Sequence, residues 1–115
     1  MILSSSVRAY VCAEPVDMRR SIDGLAQLIE PVFAADPFSG QVYVFLGKRR
    51  NRVKLLWWDR NGFFLLYKRI ERGRFPKPAE LARRGLSIAE LMAFLEGIDL
   101  SHARRGPAVN ASRVA

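Results

Sequence analysis

Ten cationic side chains, Lys48, Arg49, Arg50, Arg52, Lys54, Arg60, Lys68, Arg69, Arg72 and Arg74, fall within residues 48–74, where only Asp59 and Glu71 oppose them. Clustered guanidinium and ammonium groups do one kind of chemistry well: they neutralise phosphate oxygens and release the counterions condensed on a nucleic acid. Fifteen of the nineteen Lys and Arg in the chain are Arg, whose planar fork matches phosphate oxygens two at a time. Trp57, Trp58, Phe63, Phe64 and Tyr67 are interleaved with these cations. In strand-like runs such residues are core by preference, and only if exposed would they stack on unpaired bases.

Other chemistries find little support. Cys12 and His102 stand ninety residues apart without spaced companions, so soft metal ligands cannot assemble from local sequence. Cys12 reads as a small buried hydrophobe and His102 as a tail residue. Neither has a neighbour to activate it as nucleophile or base, and the eight glycines are scattered at turns rather than gathered into a phosphate cradle. Asp17, Asp23, Asp36, Asp59 and Glu71 show no spacing for two-metal phosphoryl chemistry. They read instead as a helix cap (Asp17), turn formers (Asp36, Asp59) and a partner for neighbouring Arg (Glu71). No enzyme activity, no cofactor and no metal is expected.

The elements that must hold the cations follow from periodicity. A short β-like segment at Val7 to Cys12 is closed by Glu14-Pro15, and Asp17 is placed to cap a helix over residues 18–33. There Ile22, Leu25, Ala26, Ile29, Val32 and Phe33 define one apolar stripe. Asp36-Pro37-Phe38-Ser39-Gly40 is a turn by composition. Strand-like runs follow at Val42 to Leu46, Val53 to Trp58 and Phe63 to Ile70. Gly47 to Arg52 forms a basic loop between the first two, and Asp59-Arg60-Asn61-Gly62, with its Asn-Gly hairpin signal, links the second two. Phe75-Pro76-Lys77-Pro78 breaks the sheet, and Ser87 with Glu90 forms a capping-box pattern that opens a helix through Leu91, Met92, Phe94 and Leu95, ended by Gly97. The fold class expected is α+β: a small antiparallel meander of three to four strands packed with an N-terminal amphipathic helix and a shorter C-terminal helix. The meander is apolar on both faces, so one should pack on the N-terminal helix and the other on the C-terminal helix or a partner.

At 115 residues the chain suits one domain, expected over residues 1–100 with a flexible basic tail over 101–115. Half the residues are hydrophobic, yet the longest apolar runs are far short of the roughly twenty residues that span a bilayer. The N-terminal Met1 to Ser6 lacks the charged and apolar regions of a signal peptide. A cytoplasmic location is the expectation. The net charge of +8 is local: residues 1–47 balance to −2, residues 48–74 to +8, residues 75–100 to −1, and the tail adds +3 through Arg104, Arg105 and Arg113.

Several ordered blocks carry a resemblance. Pro15-Val16-Asp17-Met18-Arg19-Arg20-Ser21-Ile22-Asp23-Gly24-Leu25 is followed by Asp36 to Gly40, Val42-Tyr43-Val44-Phe45, Val53-Lys54-Leu55-Leu56-Trp57-Trp58-Asp59, Gly62-Phe63, Lys68-Arg69-Ile70-Glu71-Arg72-Gly73-Arg74-Phe75 and Leu95-Glu96-Gly97-Ile98-Asp99. Over about residues 8 to 100 the chain resembles the small accessory protein, the second open reading frame product or TnpB, of IS66-type bacterial insertion sequences. It departs from that pattern where Pro76-Lys77-Pro78 replaces a Trp-Pro and Leu100 replaces an aromatic residue. The resemblance implies a role in transposition beside a separate DDE-type transposase that performs strand transfer. The partners expected are then the DNA of the element's ends and that transposase, with DNA contacts at Arg49, Arg50, Arg52 and Lys54 first, then Lys48, Lys68, Arg69, Arg72 and Arg74. The alternative is a protein adaptor or regulator that binds the transposase, for which an exposed apolar strip on the sheet would speak.

Overall fold

The computed structural model describes residues 3–79 and 81–98. The tail expected over 101–115, with His102, lies outside the described residues. The chain forms β1 (Ala9–Val11), α1 (Ile22–Phe33), β2 (Val42–Leu46), β3 (Arg52–Asp59), β4 (Gly62–Arg69), a 3-10 turn (Leu81–Arg83) and α2 (Ile88–Leu95). One sheet of four strands has the order β1-β2-β3-β4. β2, β3 and β4 are the expected antiparallel meander. β1 joins it in parallel, Ala9 opposite Val42 and Val11 opposite Val44, so the sheet is mixed. The parallel join requires a crossover, which α1 supplies.

Both sheet faces are covered, for the reason the strands are apolar on both sides. Val53, Leu55 and Trp57 of β3 pack with Val42, Val44 and Leu46 of β2 against Phe75, Leu81, Leu91, Phe94 and Leu95. On the opposite face Tyr43, Phe45 and Leu56 meet Leu25 and Ile29 of α1. Burying one such aliphatic side chain stabilises the fold by about 1.5–3 kcal/mol. Trp57 is core, only 4% exposed. Trp58 is half-buried under Phe38, whose ring meets it edge-on at 4.9 Å. Cys12 is buried among the α1-side residues, its thiol donating to Glu14 O at 3.3 Å, and burial raises its pKa.

Two expectations are corrected. The helix starts at Ile22 rather than near residue 18, and Asp17 does not cap it. Asp17 is engaged locally: its Oδ1 accepts the Arg19 N–H at 2.9 Å, and its carbonyl accepts the Arg20 N–H at 3.1 Å. That closes a turn ahead of the helix, and the N-cap falls to Ser21, whose side chain caps nothing. The β3–β4 hairpin exists, but its turn sits one residue earlier than the Asn-Gly signal suggests. Arg60 takes the positive φ of 53°, the Asn61 N–H donates to Asp59 O, and Gly62 is the first residue of β4. The Asp36 turn forms with Asp36 Oδ1 accepting the Phe38 N–H. The Ser87–Glu90 capping box is complete, with bonds of 3.1 and 3.0 Å.

A candidate phosphate-binding end of the sheet

The sheet order carries the C-terminal ends of β1, β2 and β4 and the start of β3 to one end of the molecule. The chain after β1 stays on β2, the Cys12 and Val16 N–H groups donating to Val44 O and Leu46 O at 2.9 Å each. This delivers Asp17 to Arg20 beside the β2–β3 loop. The two loops touch closely: a Cβ on Gly47 would stand 2.8 Å from Met18 Cγ, so the approach needs glycine there. Between them lies an open cleft of about 410 Å³ bordered by Asp17, Met18, Arg19, Lys48, Arg49 and Arg52.

The loop of residues 47–51 is tied in turn to the segment after β4. The Ile70 N–H donates to Asn51 O at 2.9 Å and the Phe75 N–H to Arg50 O at 2.7 Å. Arg72 and Arg74 therefore stand near Lys48 and Arg49, although more than twenty residues separate them in sequence. In the β3–β4 register Arg52 lies directly opposite Arg69. Like charges so placed repel. Nine of the ten cations of the sequence block thus lie towards this end of the sheet, on both of its faces, and Arg60 alone sits at the far hairpin.

The nine candidate contacts are not equally available. Lys48, Arg49, Arg52, Arg72 and Arg74 are exposed and make no ion pair among the described residues. Arg69 is bonded to Glu71 at 2.9 Å, which holds its pKa above the ordinary value. Lys54 donates to Arg20 O at 2.7 Å and lies 5.5 Å from the Tyr67 ring centre. Lys68 reaches the other face, donating to Leu95 O at 2.8 Å beside Glu96. Arg50, half-buried in positive φ, spends its guanidinium on Phe75 O at 3.1 Å.

Arg19 and Arg20 belong to the same end and were missed by counting along the chain. Five acids within residues 1–47 hide them in a segment sum. The available signal was the Met18-Arg19-Arg20 stretch of the resemblance. Arg19 pairs with Asp17 at 2.7 Å, and its hydrogen bonds lower the Asp17 pKa to about 2. The amino end of α1 also opens here and adds a partial positive charge. Among the described residues no group of three or more His, Cys, Asp or Glu could hold a metal ion, and no helix is long and apolar enough to cross a membrane.

A mixed sheet with a cationic end, held by three loops, defines a small α+β protein. Comparison with known proteins is specific: residues 7–105 match the family described as IS66 Orf2 like protein. The chain belongs to that family, and with it to the accessory proteins of insertion sequences. It is similar to the uncharacterized protein y4jC of Sinorhizobium fredii, 33% identical over 113 residues covering 97% of each chain. It is also similar to the uncharacterized protein y4hO of the same organism, 36% identical over 98 residues, with 84% of this chain and 85% of the relative covered. No solved structure matches.

Proposed function

We propose that the protein is a non-catalytic accessory factor of transposition that holds DNA phosphates on the cationic end of its sheet while a separate DDE-type transposase performs strand transfer. The observation that carries this reading is the pairing of Arg52 with Arg69 in register, flanked by Lys48, Arg49, Arg72 and Arg74 without acids to balance them. A fold gains nothing from concentrating like charge in this way. A polyanion does, because each cation brought to a phosphate releases condensed counterions.

In this reading Lys48, Arg49, Arg52, Arg72 and Arg74 meet phosphates directly, with Arg19 and Arg69 exchanging their carboxylate partners for phosphate. Lys54 and Lys68 lie at the margins, and Arg50 holds the loops. The single domain over residues 1–100 and a contribution from the basic tail belong to the same proposal. Phosphate contacts position rather than specify, so selectivity for the element's ends is modest.

The test is a mobility-shift titration against the element's terminal repeats and a scrambled duplex at several salt concentrations. Five to seven phosphate contacts give a slope of log K against log salt of about −4.5 to −6. No shift at low salt, or a slope near zero, rejects the proposal. Co-purification with the transposase that survives nuclease and high salt would favour the adaptor reading instead.

A further inference from the structure

Of the five aromatic residues interleaved with the cations, Trp57 is core and Trp58 and Phe63 are half-buried, which leaves Phe64, 39% exposed, and Tyr67, 50% exposed. These two lie on opposite faces of the sheet. Strand residues alternate between faces, and Val53, Leu55 and Trp57 face the α2 side. Phe64, opposite Trp57 in register, therefore stands on that side and stacks on Trp57 with ring centres 5.3 Å apart. The β4 cation of the same face is Lys68, which is bonded to Leu95 O and lies beside Glu96.

Tyr67 stands on the α1 side, at one corner of a square. It lies opposite Lys54 in register, and two residues further along β4 Arg69 lies opposite Arg52, so all four side chains share one face. Directly opposed Cβ atoms stand about 5 Å apart and diagonal ones about 7–8 Å, within reach of long side chains. Three cations thus surround one exposed ring. The ring has a fixed neighbour: Lys54 Nζ lies 5.5 Å from its centre, anchored by Arg20 O at 2.7 Å. Helix α1 leaves it uncovered, since Phe63 and Leu65 pack against the α1-side core whereas Tyr67 packs on the core of neither face. A single exposed aromatic residue means little by itself, but one ringed by cations, of which Arg52 makes no ion pair among the described residues, is matched to a ligand that carries both negative charge and a flat face.

We propose that Tyr67 is a stacking platform for an unpaired base, so that the cationic end takes DNA ends whose strand carries unpaired nucleotides in preference to uniform duplex; this rests on the phosphate-binding reading above. The chemistry around the ring selects the occupant. Each nucleotide of a single strand offers a π face to Tyr67 and, on either side of it, phosphates to Arg52 and Arg69. A duplex keeps its base faces within its own stack, where the ring meets them only after a base has been flipped out. An acidic peptide would satisfy the guanidinium groups but brings no flat face with each charge. On the α2 side Phe64 offers a ring without a free cation, so the platform belongs to Tyr67 alone.

The test is a binding titration of the full chain, freed of nucleic acid, against three labelled DNAs: a blunt duplex, the same duplex with an oligothymidylate overhang, and the same duplex with an overhang of equal length made of abasic nucleotides. The two overhangs carry the same phosphates and differ only in their bases. The expected result is that the thymidylate overhang binds about fivefold or more tightly than the abasic one. Tyr67→Ala should abolish that ratio while leaving the salt slope unchanged, because no phosphate contact is lost. Tyr67→Phe and Phe64→Ala should both preserve the ratio. Equal binding of the two overhangs by the wild-type chain overturns the proposal, as does a ratio that survives Tyr67→Ala. A ratio lost in Phe64→Ala overturns it by moving the platform to the other face, and tighter binding of a matching RNA overhang overturns DNA as the occupant. If the blunt duplex binds with a steep salt slope and the overhangs are alike, this proposal alone falls; if none of the three DNAs binds, the phosphate-binding reading falls with it. The wild-type comparison of the two overhangs stands even if the alanine variant fails to fold.

Discussion

Arg50 and Phe75 are bonded twice: the Phe75 N–H donates to Arg50 O at 2.7 Å, and the Arg50 guanidinium donates to Phe75 O at 3.1 Å. Phe75 is fully buried, so the pair nails the β2–β3 loop to the core. Arg50→Ala should cost about 1–3 kcal/mol, since a charged donor is lost and a backbone acceptor is left unmet. Arg50→Gly should cost roughly 1 kcal/mol less, because the positive φ of 57° no longer opposes a Cβ. Urea denaturation checks both. Arg49→Ala should leave stability unchanged and make the salt slope of DNA binding shallower by about one contact.

The contrast between Arg49 and Arg50 shows how far the sequence could be read. Strands, helix faces and the Ser87 capping box follow from periodicity and local hydrogen-bond chemistry, and these elements formed near where the residues indicated, with α1 starting about one turn late and β1 shorter than expected. Which cation is free depends on long-range bonds, such as Arg50 to Phe75 or Lys68 to Leu95, that no local pattern encodes. Asp17 fails as a cap because its carboxylate and carbonyl are taken up by an equally local turn with Arg19 and Arg20. Arg60 carries the hairpin's positive φ although Asn-Gly stands beside it, because the pairing of Asp59 with Gly62 sets the turn one residue earlier. Arg19 and Arg20 join the cationic end only because the chain after β1 stays on β2.

Gly47 lets the Met18 loop close on the β2–β3 loop. Gly47→Ala would place its Cβ 2.8 Å from Met18 Cγ, so the thioether must move and the cleft must open. The expected loss is about 1–3 kcal/mol, the usual cost of overpacking. Met18→Ala added to Gly47→Ala should recover part of it. A double-mutant cycle in denaturant measures the coupling, and additive losses would show that the contact does not limit this position.

Acid should weaken the C-terminal helix first. Glu90 is bonded to Arg84 through both carboxylate oxygens and also accepts the Ser87 N–H. Chiefly through Arg84, its pKa is lowered from 4.5 to about 2. A carboxyl depressed in the folded state contributes stability that is complete above its unfolded pKa and is lost as pH falls through the folded one. The loss therefore runs from about pH 4.5 down to about pH 2. Glu90→Gln keeps the capping box but not the charge, so stability of that variant should vary less with pH across this window. Ser87→Ala should instead cost about 1 kcal/mol at every pH, as lost caps do.

Arg52 and Arg69 offer the sharpest separation of stability from function. They stand opposite one another across β3 and β4, and Glu71 bonds only Arg69. Arg52→Thr removes one of two opposed cations from an exposed strand position and introduces a residue with good strand propensity. Stability should rise by about 0.2–1 kcal/mol, and the gain should shrink as salt screens the repulsion it relieves. DNA affinity should fall in the same variant, with a salt slope shallower by about one phosphate contact. Thermal unfolding at low and high salt, beside a mobility-shift titration, measures both sides. A loss of stability would make Arg52 a structural residue, and unchanged affinity would remove it from the phosphate-binding end. If both expectations hold, the fold keeps Arg52 at its own expense, which is the signature of a residue retained for a partner rather than for the sheet.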